Sequence, residues 1–412
     1  MRPGWEIEPS FTRYVGGAGV DGVTLTSDMI DKSLNLGDGR DYLDLAVNTT
    51  RVEANVNGGA GFDVLRMTAA SAAMIPNSTA FAFTGFECLR LYGATNQTIG
   101  AYALDCGIHT VEIAGGGNGL TLTHMASGHT LVLTGAGTAY RISDQKLGGA
   151  NDSFNLKLAA IPGDQTSFAS TGITAAGVEH LTLESDDTRN TPTGLAAHAV
   201  TWLAHTVQTI TIKGDAGLHL TAASANLTSL DASQLQGDFT WTAGRTSGSL
   251  DVKGSATRAN TIDLSAIAAG GVTYASGTGA DTVTIGRGGN MIDLGDDSAV
   301  DTVVVAGANT TSANTTITGL GTGDKIVFSS FDTWQAVGFM ARVGVDPITH
   351  GSDVSQGGHG YVQAFVVGGD TYLVFDRSDT GPAFQDGQDV LIKLVGVTGL
   401  TATNFDHGVL TL

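Results

Sequence analysis

The sequence predicts an all-β chain wound as a parallel β-solenoid of the β-roll or β-helix kind. Three observations carry this prediction: short runs that alternate apolar and polar residues, a glycine closing most runs, and recurrence at about 20 residues. The runs "LRLYG", "VEIAG" and "LVLTG" end at Gly93, Gly115 and Gly135, spaced 22 and 20 apart. "ITIKG" and "LDVKG" end at Gly214 and Gly254, 40 apart, with "LTSLDAS" at 227–233 as the rung between them. Alternation places the apolar set on one face of an extended strand, and the closing glycine can take positive φ to turn the chain. A single rung cannot bury that face alone, so stacked coils must bury it as one ribbon. Leu91, Ile113, Leu133, Ile212 and Val252 are therefore expected to point inward. Antiparallel sandwiches would also show short strands and glycine turns, but one pattern repeated at a constant spacing favours the solenoid. Short helices are expected near 194–205 ("GLAAHAVTWLAH") and 333–343 ("TWQAVGFMARV").

Composition bounds the partners. With 20 Lys+Arg against 40 Asp+Glu the net charge is -20, so a phosphate backbone is repelled and nucleic acid is excluded as a partner. Divalent cations are the natural counterparts of such a chain. No apolar run reaches the ~18 residues of a membrane span, and the start "MRPGWEIEPSF" does not resemble an export leader. The chain is thus expected to have no transmembrane segment, and to be intracellular or exported by a route that needs no leader. Cys88 and Cys106 lie 18 residues apart, close to one coil. A disulfide between stacked neighbours and two buried free thiols both suit that spacing, and a zinc site does not.

A second device recurs beside the rungs. "GGAGVDGVT" (16–24), "GDGRDYLDL" (37–45) and "GGAGFDVLR" (58–66) place glycines before an aspartate and then resume a strand. In G-G-x-G-x-D-x-U-x the glycines allow a tight turn, the aspartate adds a carboxylate, and the large apolar U enters the core. Carbonyls and carboxylates are the oxygen ligands that calcium takes. Candidate metal-site residues are Asp21, Asp41 and Asp63 through their carboxylates, and Gly58 and Gly61 through the inward carbonyls of the tight turn. Aspartate spacings of 20 and 22 exceed the ~18 of two nine-residue repeats, which departs from a regular ion ladder. A second cluster holds Asp281, Asn290 and Asp301 at spacings of 9 and 11, with Gly277 and Gly279 in its first turn. Asp296 and Asp297 could compensate for the insertion before Asp301, and Asp152 in "GGANDSF" is a weaker candidate. Gly-Asp is also common turn chemistry without an ion, so recurrence rather than any single copy carries the calcium expectation. "GAGVDG" at 17–22 matches G-x-G-x-x-G, but no amphipathic helix begins there, so a dinucleotide site is not expected.

These nonapeptides resemble the RTX-type calcium-binding repeats of proteins exported by type I secretion. The likeness extends to "ANLTSLDASQLQGDFTWTAG", "GFECLRLYGATNQTIGAYAL" and "GHTLVLTGAG", which look like the glycine- and threonine-rich body of surface-layer proteins and large adhesins of Gram-negative bacteria. "ITGLGTGDKIVFSSF" (317–331) resembles the segment that follows the last calcium repeats, and the stretch from "GGDTYLVF" to the final "GVLTL" resembles an uncleaved secretion region. The resemblance implies Ca2+ as cofactor, secretion to a Gram-negative cell surface, and self-association into a lattice. "TYLVF", "VLIKLVG", "LTATNF" and "GVLTL" also read as a plain cap closing the last coil.

The organisation expected is RTX-like coils at 1–67, a Gly/Thr-rich solenoid body at 68–275, a second RTX-like segment at 276–332, and a small C-terminal β cap with secretion region at 333–412. The leading functional reading is a structural protein of a calcium-dependent surface layer. An adhesin that binds cell-surface polysaccharide is the alternative, and a β-helical polysaccharide-modifying enzyme is a third. Neither H-E-x-x-H nor G-x-S-x-G occurs, the 10 histidines are scattered singly, and the few basic residues are dispersed. No catalytic residues are nominated, and the chain is expected not to be an enzyme.

Overall fold

A computed structural model describes residues 5–7, 12–25, 29–45, 52–75, 83–143, 147–159, 167–186, 197–203, 205–222, 224–244, 248–267, 270–307, 314–328, 338–343, 361–375, 384 and 387–412. The chain is all-β, 56% strand and 5% helix, and builds a parallel β-solenoid of about 12 turns. It divides into two compact units, 1–207 and 208–412.

In the first unit one parallel ribbon runs through Gly22–Leu25, Tyr42–Leu45, Val64–Thr68, Cys88–Thr95, Thr110–Asn118, Thr130–Leu133, Ser153–Ala159 and His180–Asp186. Register puts Val23, Leu43, Leu65, Leu89, Val111, Leu131, Leu156 and Leu183 in one column, and all are buried. A second sheet carries Arg13–Val15, Met29–Asn35, Val52–Asn57 and Phe83–Thr84. Leu91, Ile113 and Leu133 are completely buried, as the alternation requires.

The second unit repeats the plan. One sheet passes through Thr209–Gly214, Ser229–Leu235, Leu250–Lys253, Gly271–Ala275, Gly289–Asp293 and Thr315–Thr318. The other passes through Gly217–Ala222, Phe239–Ala243, Asn260–Asp263, Thr282–Ile285, Thr302–Val305 and Lys325–Phe328. Ile212 and Val252 are inside, and Leu220, Trp241, Ile262, Val283, Val303 and Ile326 form a buried column.

The end of this unit is a cap in which the pairing changes sense. Tyr361–Val367, Asp370–Phe375 and Val390–Leu394 are antiparallel neighbours around Phe365, Val374 and Leu391. Val390–Leu394 also lies parallel on Thr315–Thr318. The segment "LTATNF…GVLTL" does not add a parallel rung. Phe405–Asp406 and Val409–Thr411 form a hairpin whose second strand runs antiparallel to Lys325–Phe328.

Two local expectations are corrected. The stretch at 197–202 is a strand with alternating burial, His198, Val200 and Trp202 facing in, so period 2 prevails over alanine's helix preference. Gly338–Val343 is likewise a strand, paired with Tyr361–Val367; 194–196, 204 and 333–337 lie outside the described residues. Short helices occur instead at Ala69–Met74, where the Thr68 hydroxyl caps the Ser71 N–H, and at Ala101–Leu104. Cys88 and Cys106 are both free thiols, Cys88 buried and Cys106 exposed in the turn after Ala101–Leu104.

Candidate metal centre

The residue before each strand of a given sheet stands directly over its counterpart in the next coil. In the first unit these residues are Asp21, Asp41, Asp63 and Glu87. Each carboxylate accepts the backbone N–H of the preceding member. Asp21 N–H donates to Asp41 Oδ1 at 2.7 Å, Asp41 N–H to Asp63 Oδ1 at 2.7 Å, and Asp63 N–H to Glu87 Oε2 at 2.8 Å. The steps are 20, 22 and 24 residues, so the uneven aspartate spacing is coil length and the column is continuous.

The second unit builds the same column from Asn260, Asp281, Asp301 and Asp324. Asn260 N–H donates to Asp281 Oδ1 at 2.6 Å, Asp281 N–H to Asp301 Oδ1 at 2.8 Å, and Asp301 N–H to Asp324 Oδ1 at 2.8 Å. Asp41, Asp63, Asp281, Asp301 and Asp324 are all at most 2% exposed.

Several members are fully satisfied. Asp21 Oδ2 accepts the Gly17 N–H at 2.8 Å and its Oδ1 the Tyr14 hydroxyl at 3.3 Å. Asp324 Oδ2 accepts the Gly321 N–H at 2.7 Å. The interior rungs differ: Asp41 Oδ2 and Asp63 Oδ2 are buried and accept no hydrogen bond, whereas Asp281 also draws on the Ser276 hydroxyl and the Gly277 N–H. A buried carboxylate oxygen without a partner forfeits its hydration for nothing in return.

Charge makes the deficit larger. Rungs about 4.8 Å apart repel by roughly 3 kcal/mol per ionised neighbour at an effective dielectric of about 20. A hydrogen bond to a charged group contributes about 1.5–3 kcal/mol, so one N–H per rung does not offset two like-charged neighbours. Burial first, then adjacent acids, push the Asp41 and Asp63 carboxyls above their ordinary range, and burial does the same to Asp281. Asp301 is pushed up to about 7 by burial and by the charges of Asp281, Asp324 and Asp297. Elsewhere the chain neutralises stacked acids with arginine: Asp44, Arg66, Arg90 and Glu112 share one register, with Arg90 Nη2 2.7 Å from Glu112 Oε2. Neither acidic column contains a Lys or Arg.

The glycines have a separate cause. A Cβ on Gly58 would lie 2.1 Å from Gly85 O and 3.0 Å from Asp63 Oδ2, and one on Gly61, at φ +138°, would lie 1.6 Å from Gly39 O. Gly277 and Gly279 have backbone of the neighbouring coil at 2.3 Å from the same position. Close stacking therefore requires these four glycines with or without an ion. It does not explain the orphaned oxygens.

The other nominated residues fall elsewhere. Asn290 is buried on the opposite sheet, where it registers with Val272 and donates to Gly288 O and Thr315 Oγ1. The spacings of 9 and 11 thus span two sheets and do not form one cluster. Asp296 is exposed, whereas Asp297 turns its carboxylate inward, with Oδ1 on the Ala299 N–H at 2.6 Å and Oδ2 buried without a partner. Asp297 Oδ2 and Gly277 O flank the open side of Gly295, at 3.5 and 2.7 Å from its Cβ position. Asp152 starts a shorter pair, its N–H donating to Glu179 Oε2 at 2.9 Å and its Oδ2 accepting the Gly149 N–H at 2.7 Å.

Glu87, Asn260 and Asp324 are column members that the glycine motif misses. Their signal is an acid or amide at the start of an alternating strand or immediately before it, as in "ECLRL", "NTIDL" and "DKIVF". Among the described residues no three His, Cys, Asp or Glu side chains converge as a metal cluster. A hard cation on an interior rung would take the orphaned carboxylate oxygens, and backbone carbonyls or water would complete its shell. The donor set is oxygen throughout, which fits calcium and not zinc. Comparison with protein-family models and with curated protein sequences finds no match.

Proposed function

We propose that the chain is a structural protein of a bacterial surface layer, secreted by a type I route, whose coils close around calcium and then associate laterally into a lattice. The observation that carries the calcium part is the pair of buried, unpartnered oxygens on Asp41 and Asp63, inside a column that contains no basic residue. Calcium supplies the positive charge that the acidic columns lack. The rest is done by the chain: backbone N–H groups fix one oxygen of each rung, glycines let the turns approach, and the carboxylates repel one another until neutralised. That repulsion keeps the chain loose where calcium is scarce and lets it close where calcium is abundant. The surface-layer and secretion assignments rest on the resemblance of the repeats and tail described above.

Electron microscopy and circular dichroism of the purified protein, in chelator and in millimolar-order calcium, test this reading. Sheets or ribbons, with a β signal, are expected only with calcium. Equal folding and assembly in both would overturn it.

The adhesin reading has one observation in its favour. In the second unit a trough with a volume of about 400 Å³ opens over Gly271 and Gly289, bounded by Ser249, Asp251, Thr273 and the 62% exposed Met291. Binding of purified cell-surface polysaccharide that Met291→Ala abolishes would favour it.

A further inference from the structure

Asn260 occupies the place where the second column ought to begin with another acid, and its hydrogen bonds show why an acid is absent. Its backbone N–H and its side-chain Nδ2 both donate to Asp281 Oδ1, at 2.6 and 2.8 Å. Nδ2 also lies 3.1 Å from Ser255 O and 3.1 Å from Arg258 O, while Oδ1 accepts the Ser255 N–H at 2.6 Å. The residue is 1% exposed. An aspartate would keep the bond from Ser255 but would present an acceptor to Asp281 Oδ1, to Ser255 O and to Arg258 O. No other column member donates a side-chain proton to the next rung.

We propose that Asn260 is the terminator of the second acidic column. Its amide does for Asp281 Oδ1 what a cation does for a deeper rung, and so confines cation binding to the Asp281–Asp301–Asp324 side. The binding of a cation rests on the calcium reading, but the need for a neutral donor at 260 stands on the hydrogen bonds alone. The first column meets the same problem differently. It begins with Asp21, which is only half-buried and whose carboxylate accepts the Gly17 N–H and the Tyr14 hydroxyl. Asn260, 1% exposed, begins its column by being neutral.

The test compares Asn260→Asp with Asn260→Ala and the wild type by thermal melting in chelator and in calcium, with calcium stoichiometry by titration calorimetry. Alanine loses every side-chain bond but adds no charge, whereas aspartate keeps shape and the Ser255 bond and adds a charge. We expect Asn260→Asp to melt at least about 3 °C below Asn260→Ala in chelator, to rise above it in calcium, and to bind one additional ion. The swap Asn260→Asp/Asp281→Asn should recover most of the loss in chelator, because an amide again faces a carboxylate. This arm remains informative if Asn260→Asp alone does not fold. Asn260→Asp as stable as Asn260→Ala in chelator, or a swap no better than Asn260→Asp, would overturn the terminator. The expected order in chelator with no calcium response in any protein would uphold the terminator and overturn the calcium reading.

Discussion

The columns Asp21–Asp41–Asp63–Glu87 and Asn260–Asp281–Asp301–Asp324 use one hydrogen-bonding rule with different turns. Around the first, Gly37, Gly39, Gly59 and Gly61 all have positive φ. Around the second, Gly277 and Gly279 do not, and Asp297 and Ala299 stand four and two residues before Asp301, where Gly59 and Gly61 stand before Asp63. The carboxylate stack survives this change of turn. The repeating device is therefore the acid that begins each strand, and the glycine pattern is one of several ways to bring successive acids into register.

The largest effect should come from Gly61→Val, because a side chain there needs both positive φ and the space of Gly39 O. A loss of more than about 3 kcal/mol by denaturant unfolding is expected. Gly279→Val should be nearly as severe through the Arg258 backbone, even though its φ is ordinary. If only Gly61→Val were severe, turn conformation and not close stacking would be what demands glycine.

Next, Asp281→Ala should cost more than Asp41→Ala in chelator. The first leaves the Asn260 N–H orphaned and takes from its amide the charged acceptor, leaving Nδ2 only Ser255 O and Arg258 O; the second orphans only the Asp21 N–H. Each orphaned donor costs about 1–3 kcal/mol. Equal losses would mean that the two columns are not distinguished by their ends.

The pH dependence in chelator should expose the buried charges of both columns, most strongly at Asp301. Asp301 has an ordinary value of 3.8 and stands at about 7 in the fold. Below pH ~4 it is protonated whether folded or unfolded. As pH rises through about 7 the fold must hold a charge that the unfolded chain carries in water, so stability falls, opposite to the usual carboxylate trend. Asp41, Asp63 and Asp281 shift in the same direction. Calorimetric melts at pH 5 and pH 8 should show this fall in chelator, and Asp301→Asn should reduce it. A stability that rises with pH would contradict the buried, unneutralised columns.

Smaller still, if the columns take calcium as proposed, Asp297→Asn should weaken its affinity measurably by titration calorimetry, while Asp296→Asn leaves it within error, since Asp297 and not Asp296 turns a buried carboxylate oxygen inward. The reverse order would place the ion on the outer side of that turn. Least perturbing of all is thiol labelling of the native protein. Cys106 should react with maleimide and Cys88 should not, because it is buried and burial pushes its thiol up to about 12.

The glycine-stopped alternating runs by themselves determined their own strands, their inward residues and the solenoid, because a period of 2 with a glycine stop permits little else once coils stack; Ala197–Trp202 and Gly338–Val343, without that stop, read as helices and are strands. Leu91, Ile113, Leu133, Ile212 and Val252 were readable for that reason. Asp41, Asp63 and Asp281 were legible as candidates because they follow glycines in a repeated string, and Asp301 because it precedes a strand of the same kind after an insertion. Which acids share a column was decided only by the tertiary structure, since coils of 20 to 24 residues bring together positions that no fixed period relates. Asn290 lies closer in sequence to Asp281 than Asp301 does, yet half a coil carries it to the other sheet. Glu87, Asn260 and Asp324 join their columns because backbone register, not motif, sets what stands above and below. The sequence fixes which face of a strand is apolar through local alternation; the neighbours of a buried charge depend on the length of the loops between, and that length is resolved only when the coils close.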